Sequence, residues 1–264
     1  MDDALAPYRL IAYNSARQSE NKMHDDTVAR QFGFAGGLVP GVDVYAYMTH
    51  PPVVRWRRTF LERGVLEARF VKPVYDGEPT TVTARAANGG LDLEVTCRDE
   101  LCATGHAWLG SVPAPPLEAF AAVPAVAHRP PAEQATLARD RWLGIRPLTV
   151  TAQFAAQYYD DVRETDPIYA AEGLCHPGLL PRLFNWALVH NVVLGPWIHV
   201  GSRIEHFAAV RIGDQLSVRA KIVANDERKG HRFVELDGLV VADDQRPIAR
   251  IAHTAIWQPR ARPA

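Results

Sequence analysis

The sequence predicts an α+β protein of two related units, each a buried helix followed by an antiparallel meander. Three observations carry this. Glycine-anchored segments recur at nearly one offset: Gly41 and Gly178 are 137 positions apart, and Gly77 and Gly213 are 136 apart. In each half the first anchor opens a segment apolar on almost every side, and the second precedes a run of alternating residues. A proline cluster (Pro113, Pro115, Pro116, Pro124, Pro130 and Pro131) stands between the halves. Two anchors at one offset argue duplication better than either match alone, and so long a period means paired domains rather than a solenoid.

The expected units are residues 1–110 and 141–264, joined by a Pro/Ala-rich linker over 111–140. The linker reads as an extended crossover rather than a packed element. In the first unit Val42, Val44, Tyr45, Tyr47 and Met48 follow Gly41, which suggests a helix buried on all sides. Strands follow over 65–71, 80–86, 91–97 and 102–109, with Asn88-Gly89-Gly90 as a turn. In the second unit the helix covers 179–189, with Pro181 in a first turn where no N–H is needed. Its strands are 204–207, 215–223, 231–241 and 247–257, with 225–230 as a turn. A buried helix followed by a meander implies a curved sheet wrapped around it. The strand runs allow two such sheets or one sheet continued across both units.

Composition removes several classes. Of 264 residues, 47% are hydrophobic and 22% charged, with net charge −1, which excludes disorder and gives no basic excess for nucleic acid. Three cysteines, Cys97, Cys102 and Cys175, make no disulfide framework and fit a reducing cytoplasm. The start, Met1-Asp2-Asp3-Ala4, lacks the basic and apolar regions of a signal peptide, and no apolar stretch is long enough to span a membrane. The ten histidines show no H-x-x-x-H or H-E-x-x-H spacing, so no metal site is expected. His199 and His206 are read as lying across a turn.

One segment carries chemistry. Asn21, His24 and Asp26 precede Gly33-Phe34 and then Gly41. This arrangement resembles the MaoC-like (R-specific) enoyl-thioester hydratase/dehydratase group of hot-dog proteins. Their motif runs aspartate, Asn-Pro-x-His, an acidic residue two on, Gly-Phe, then His-Gly opening the central helix. Gly77 and Gly213 resemble the group's later Pro-Val-x-x-Gly-Asp turn. The resemblance covers both halves and implies a double hot-dog fold. The departures are Ser19 at the catalytic aspartate, Lys22 at the proline and Pro40 at the second histidine. In the second unit, residues 164–169 resemble the same motif with Tyr169 in place of histidine, similar to the non-catalytic half of double hot-dog dehydratases.

The resemblance implies a site. Hydration of an enoyl thioester needs a base for water, an acid for the α-carbon, and N–H donors for the developing enolate oxygen. His24 is then the base, Asn21 holds its loop, and the Gly41 N–H at a helix N-terminus polarises the carbonyl. Glu20, beside the lost aspartate, is the stand-in acid, with Ser19 at the family position itself. Thr49, two turns along the helix, and His176, before Gly178, are further substrate-binding candidates. Asp25 and Asp26 read chiefly as helix caps, and Glu164 and Asp166 as loop-structuring carboxylates. A hot-dog thioesterase would instead activate water with Glu20 or Asp43. A third reading is a non-catalytic acyl-thioester-binding or paired subunit. No cofactor is expected, since the acyl group rides on coenzyme A or phosphopantetheine. The partners expected are the thioester, an acyl carrier protein and a second copy of the chain. The basic group 55–58 is read as a solvated face that suits carrier phosphates.

Overall fold

A computed structural model describes residues 5–260; the Met1–Ala4 start and residues 261–264 lie outside them. The first unit comprises β1 (Tyr8–Ile11), a 3-10 turn at Lys22–His24, α1 (Asp26–Gln31), α2 (Gly41–Trp56), α3 (Arg58–Arg63), β2 (Gly64–Phe70), β3 (Pro79–Ala87), β4 (Gly90–Cys97) and β5 (Glu100–Leu109). The second comprises β6 (Trp142–Leu143), β7 (Leu148–Thr149), α4 (Ala152–Asp161), α5 (Ile168–Glu172), α6 (Leu179–Val189), β8 (Ile198–His206), β9 (Gln215–Arg228), β10 (His231–Ala242) and β11 (Arg246–Gln258).

Of the two sheet arrangements expected, one continuous sheet is found. Its 11 strands run β1-β3-β4-β5-β2-β8-β11-β10-β9-β6, with β7 also on β9. The units join where β2 pairs antiparallel with β8, Leu66 facing Ile204 and Ala68 facing Ser202. The duplication is visible in backbone bonds. Val39 N–H donates to the Val74 carbonyl, as Cys175 N–H does to Val210, and the bridges Leu38–Tyr75 and Leu174–Arg211 match in the same way. Every residue of each pair is displaced by the same 136 positions as Gly77 and Gly213.

Residues 42–49 of α2 are all buried, as the apolar run requires. The helix continues past them through Pro51 and Pro52 to Trp56. Each proline deletes a helical hydrogen bond, and the burial of Pro51, Pro52 and Val53 offsets the loss. The start of α6 crosses α2 closely: a β-carbon on Gly178 would lie 2.4 Å from that of Ala46. In β9, Leu216, Val218, Ala220 and Ile222 alternate inward, and in β4 Leu91, Leu93, Val95 and Cys97 do so.

The linker departs from expectation. Phe120 is buried against Leu239 and Val241 on the outer face of β10, with Leu117 and Trp142 beside it. Arg219 binds the Leu117 and Phe120 carbonyls. The unbroken run Leu239–Ala242 is apolar because this strand is covered on both sides. The second hairpin is also tighter than expected. Residues 225–228 belong to β9, and Lys229 and Gly230 alone turn the chain, both at positive φ.

Candidate active site

The loop before α2 is fixed by its own side chains. Asn21 caps the 3-10 turn by accepting from Met23 N–H at 3.2 Å, and Asn14 donates to the His24 carbonyl at 2.9 Å. Asp25 caps α1 through Thr27 and Val28 N–H, and Asp26 accepts from Gly37 N–H at 2.7 Å. Gly37 cannot carry a side chain, because its β-carbon would sit 2.3 Å from the His24 carbonyl oxygen.

This loop and α2 wall a cavity of about 300 Å³. Phe34, Leu38, Val39, Val44, Phe70 and Val74 make it largely apolar, and Asn21, His24 and Gly41 line it together. The second unit closes it with Asn185 of α6 and with Trp197, Ile198, His199 and Ile256. Asn185 Oδ1, Trp197 Nε1 and His199 Nδ1 are buried with no partner among the described residues.

His24 Nδ1 lies 2.7 Å from the Leu38 carbonyl oxygen. A carbonyl only accepts, so Nδ1 carries the proton and Nε2 keeps its lone pair. Burial lowers the His24 pKa below its ordinary value, which favours this neutral form. Asn21 Nδ2 touches Nε2 at 3.2 Å. Asn21 also clamps the second unit, accepting from Trp197 N–H at 3.2 Å and donating to its carbonyl at 3.0 Å. Two backbone N–H groups on Oδ1 and a carbonyl on Nδ2 leave the amide one orientation. Asn21 therefore holds β8 against the loop as well as the loop itself.

Gly41 starts α2, where the first N–H groups have no helical partner. The space a side chain would fill belongs to the second unit: a β-carbon here would stand 3.0 Å from His199 Nδ1 and 3.2 Å from the His199 carbonyl. Gly41→Ala is expected to lower stability by about 1–3 kcal/mol through this overlap. Urea unfolding checks it, and unchanged stability would mean that β8 gives way freely.

Four expected site residues lie elsewhere. Glu20 points to solvent, its side chain 70% exposed and paired with Arg129 at 2.8 Å. The hydrogen bond from Arg129 holds its carboxyl below the usual range. Ser19 Oγ reaches only the Asn21 carbonyl, at 3.4 Å. Neither lines the cavity: the 3-10 turn and its Asn21 cap face inward, and the two residues before the cap do not. Thr49 donates to the Ala46 carbonyl at 2.7 Å and is fully buried. It lies about 12 Å along the helix from Gly41, eight residues at the helical rise. His176 is also fully buried there, 3.5 Å from Thr49 Oγ1. Asp43 does not line the cavity either. Its carboxylate, wholly buried, takes Arg182 at 2.6 Å and Ser15 at 2.5 Å. In the basic group Arg57 pairs with Asp166, and Arg58 with Glu62 and Glu172, both arginine side chains being partly exposed.

The equivalent region of the second unit is filled by side chains. Glu164 precedes Tyr169 by five residues, as Ser19 precedes His24. It accepts from His50 at 2.8 Å and lies 3.1 Å from His176 Nε2, while Thr165 and Asp166 N–H both donate to it at 2.7 Å. Gly178 N–H donates to His176 Nδ1 at 3.0 Å, so Nε2 carries the proton toward Glu164. Tyr169, at the histidine position, packs on His176 with ring centroids 4.8 Å apart.

Burial alone would raise the Glu164 pKa, but the His176 and His50 hydrogen bonds outweigh it and hold the carboxyl well below its ordinary 4.5. A depressed folded-state pKa contributes stability that is present above the unfolded value and lost as pH falls through the folded one. The stability difference between wild type and Glu164→Gln is therefore expected to be full near neutrality and to shrink steadily below about pH 4.5. Guanidinium unfolding at stepped pH measures it; a gap constant down to pH 3 would exclude Glu164 as its source.

The sequence reading missed Asn185 and His199. His199 and His206 lie within one strand, β8, with no turn between them, and β8 borders the first unit rather than only its own.

No family model matches the chain, and no curated protein matches it in sequence. Solved structures match its fold. A MaoC-domain protein of Chloroflexus aurantiacus J-10-fl, assigned as a dehydratase, aligns over 98% of this chain and 95% of its own at TM-score 0.67 and 13% identity. A Mycobacterium tuberculosis protein with a double hot-dog fold aligns over 97% and 94% at TM-score 0.63 and 15% identity. A Lactobacillus plantarum protein assigned as an oleoyl thioesterase aligns over 98% of both chains at TM-score 0.50 and 11% identity. The chain has the double hot-dog fold.

Proposed function

We propose that this double hot-dog protein is an enzyme that adds water reversibly across a 2-enoyl thioester, with His24 as base. The observation that carries the reading is a neutral histidine, its Nε2 unprotonated, on the wall of an apolar cavity that also holds the start of α2 at Gly41. In this reading Nε2 gives up the Asn21 Nδ2–H that it accepts and takes a proton from water as the oxygen bonds to the β-carbon. The electron pair of the double bond moves toward the carbonyl, and the enolate oxygen meets the Gly41 N–H and the positive end of the helix dipole. The imidazolium so formed then gives that proton to the α-carbon. A histidine whose pKa is lowered by burial is a stronger acid once protonated, so one residue serves both steps. Among the described residues no carboxylate lines the cavity, so the second step is given to His24 rather than to a carboxylic acid. Coenzyme A or the arm of an acyl carrier protein would bring the acyl group.

That lack of a carboxylate favours non-catalytic acyl-thioester binding as a second reading, and in a thioesterase the water would have to be activated by the same His24. Mass spectrometry of crotonyl-CoA incubated with the protein separates the three. Gain of one water supports hydration, release of free coenzyme A supports hydrolysis, and measurable binding with neither change supports the binding role.

A further inference from the structure

Three polar side chains beside the cavity are unused by the chemistry above. His199 and Ser202 belong to β8 and His253 to β11, and they are 5%, 5% and 1% exposed. Ser202 Oγ lies 2.8 Å from His199 Nε2 and 2.9 Å from His253 Nδ1, and the two rings stack with centroids 4.2 Å apart.

A serine hydroxyl has one proton, so this chain of hydrogen bonds runs in one of two directions. If His199 Nε2–H donates to Ser202, the serine proton goes to His253 Nδ1. His253 then carries its own proton on Nε2, which has no partner among the described residues. In the opposite direction His253 Nδ1–H donates to Ser202, Ser202 donates to His199 Nε2, and the His199 proton sits on Nδ1. Either direction leaves one buried ring N–H without an acceptor among the described residues, but His199 lines the cavity and His253 does not, so only an N–H on His199 can meet a substrate oxygen there, which favours the second direction. It leaves the unpaired N–H on His199 Nδ1, the atom that stands 3.0 Å from where a Gly41 β-carbon would be. His199 and Gly41 both line the cavity. Burial depresses the His199 pKa to about 3, so its ring is neutral and holds one proton.

We infer that His199 Nδ1–H is a second hydrogen-bond donor to the substrate's thioester carbonyl, beside the Gly41 N–H, with Ser202 and His253 as positioning residues that fix its tautomer. The inference rests on the acyl-thioester reading. A neutral imidazole polarises a carbonyl without a full charge, and a donor fixed in place before reaction needs no reorganisation as the oxygen gains charge. The second unit would thus complete the site of the first.

His199→Phe keeps a ring against Phe70, whose edge meets His199 at 4.8 Å between centroids, and removes the N–H. It is expected to lower kcat on a 2-enoyl-CoA by about 10²–10³-fold, the usual effect of losing one such donor, with a smaller change in KM. Ser202→Ala frees the tautomer and should lower kcat by less. Because a buried substitution can impair folding, infrared spectra of butyryl-CoA labelled with ¹³C at the carbonyl give a second readout. The bound carbonyl stretch should fall below its solution value in wild type and return toward it in both variants. Wild-type binding with an unchanged stretch and unchanged kcat in folded His199→Phe would overturn the His199 role alone. Failure of wild type to bind butyryl-CoA would overturn the acyl-thioester reading, and this role with it.

Discussion

Replacing His24 by alanine is expected to slow hydration of a 2-enoyl thioester by about 10²–10⁴-fold, the usual worth of a positioned general base. The loss should fall on kcat, since the apolar wall that would seat the acyl chain is made by other residues. The fold should survive. The His24 ring makes two hydrogen bonds, to Leu38 and Asn21, while the loop's other ties run through Asn14, Asp25, Asp26 and the His24 backbone carbonyl. Steady-state kinetics on protein with wild-type circular dichroism measures the effect, and undiminished turnover would remove His24 from the chemistry.

Asp43→Ala is expected to cost about 3–5 kcal/mol of folding stability, because it strands a largely buried charge on Arg182. Asp43 lies in the first turn of α2, where a negative charge complements the helix dipole. Its fully buried carboxylate ties Arg182 of α6 and Ser15 of the N-terminal segment to α2. Arg182 is mostly buried and lies 4.4 Å over the Tyr158 ring, so it has little freedom to reach water once Asp43 is gone. The double change Asp43→Leu with Arg182→Met removes both charges and should recover much of the loss. Urea unfolding of the three variants tests this. A loss under about 1 kcal/mol in Asp43→Ala would place the pair among weak surface bridges.

The fold was legible because its signals are periodic. The run after Gly41 has no polar face, so it had to be a helix enclosed by sheet, and the alternation in 91–97 and 215–223 gave strands with one buried face. What failed was any feature decided by distant chain. Prolines at 113–131 suggested an unpacked crossover, yet Phe120 covers the outer face of β10. Pro51 and Pro52 lie inside α2, both buried, where the packing of that face holds the helix.

The site divides in the same way. His24, Asn21 and Gly41 were readable because one loop and one helix start bring them together. Glu20 was placed by sequence adjacency, which says nothing of direction, and it pairs with Arg129 instead. Thr49 was placed by helical spacing, yet two turns carry it to the His176 cluster. Asn185 and His199 enter only through the pairing of β2 with β8 and the packing of α6, a contact between positions more than a hundred residues apart. No local pattern encodes that.

The most direct measurement is a single cuvette of wild-type protein, crotonyl-CoA and a thiol-trapping dye. Decay of the enoyl absorbance band with no dye response is the predicted result. A dye response that keeps pace with thioester loss, or an enoyl band that stays unchanged with crotonyl-CoA and with longer 2-enoyl-CoA substrates, would contradict hydration at the His24–Gly41 cavity.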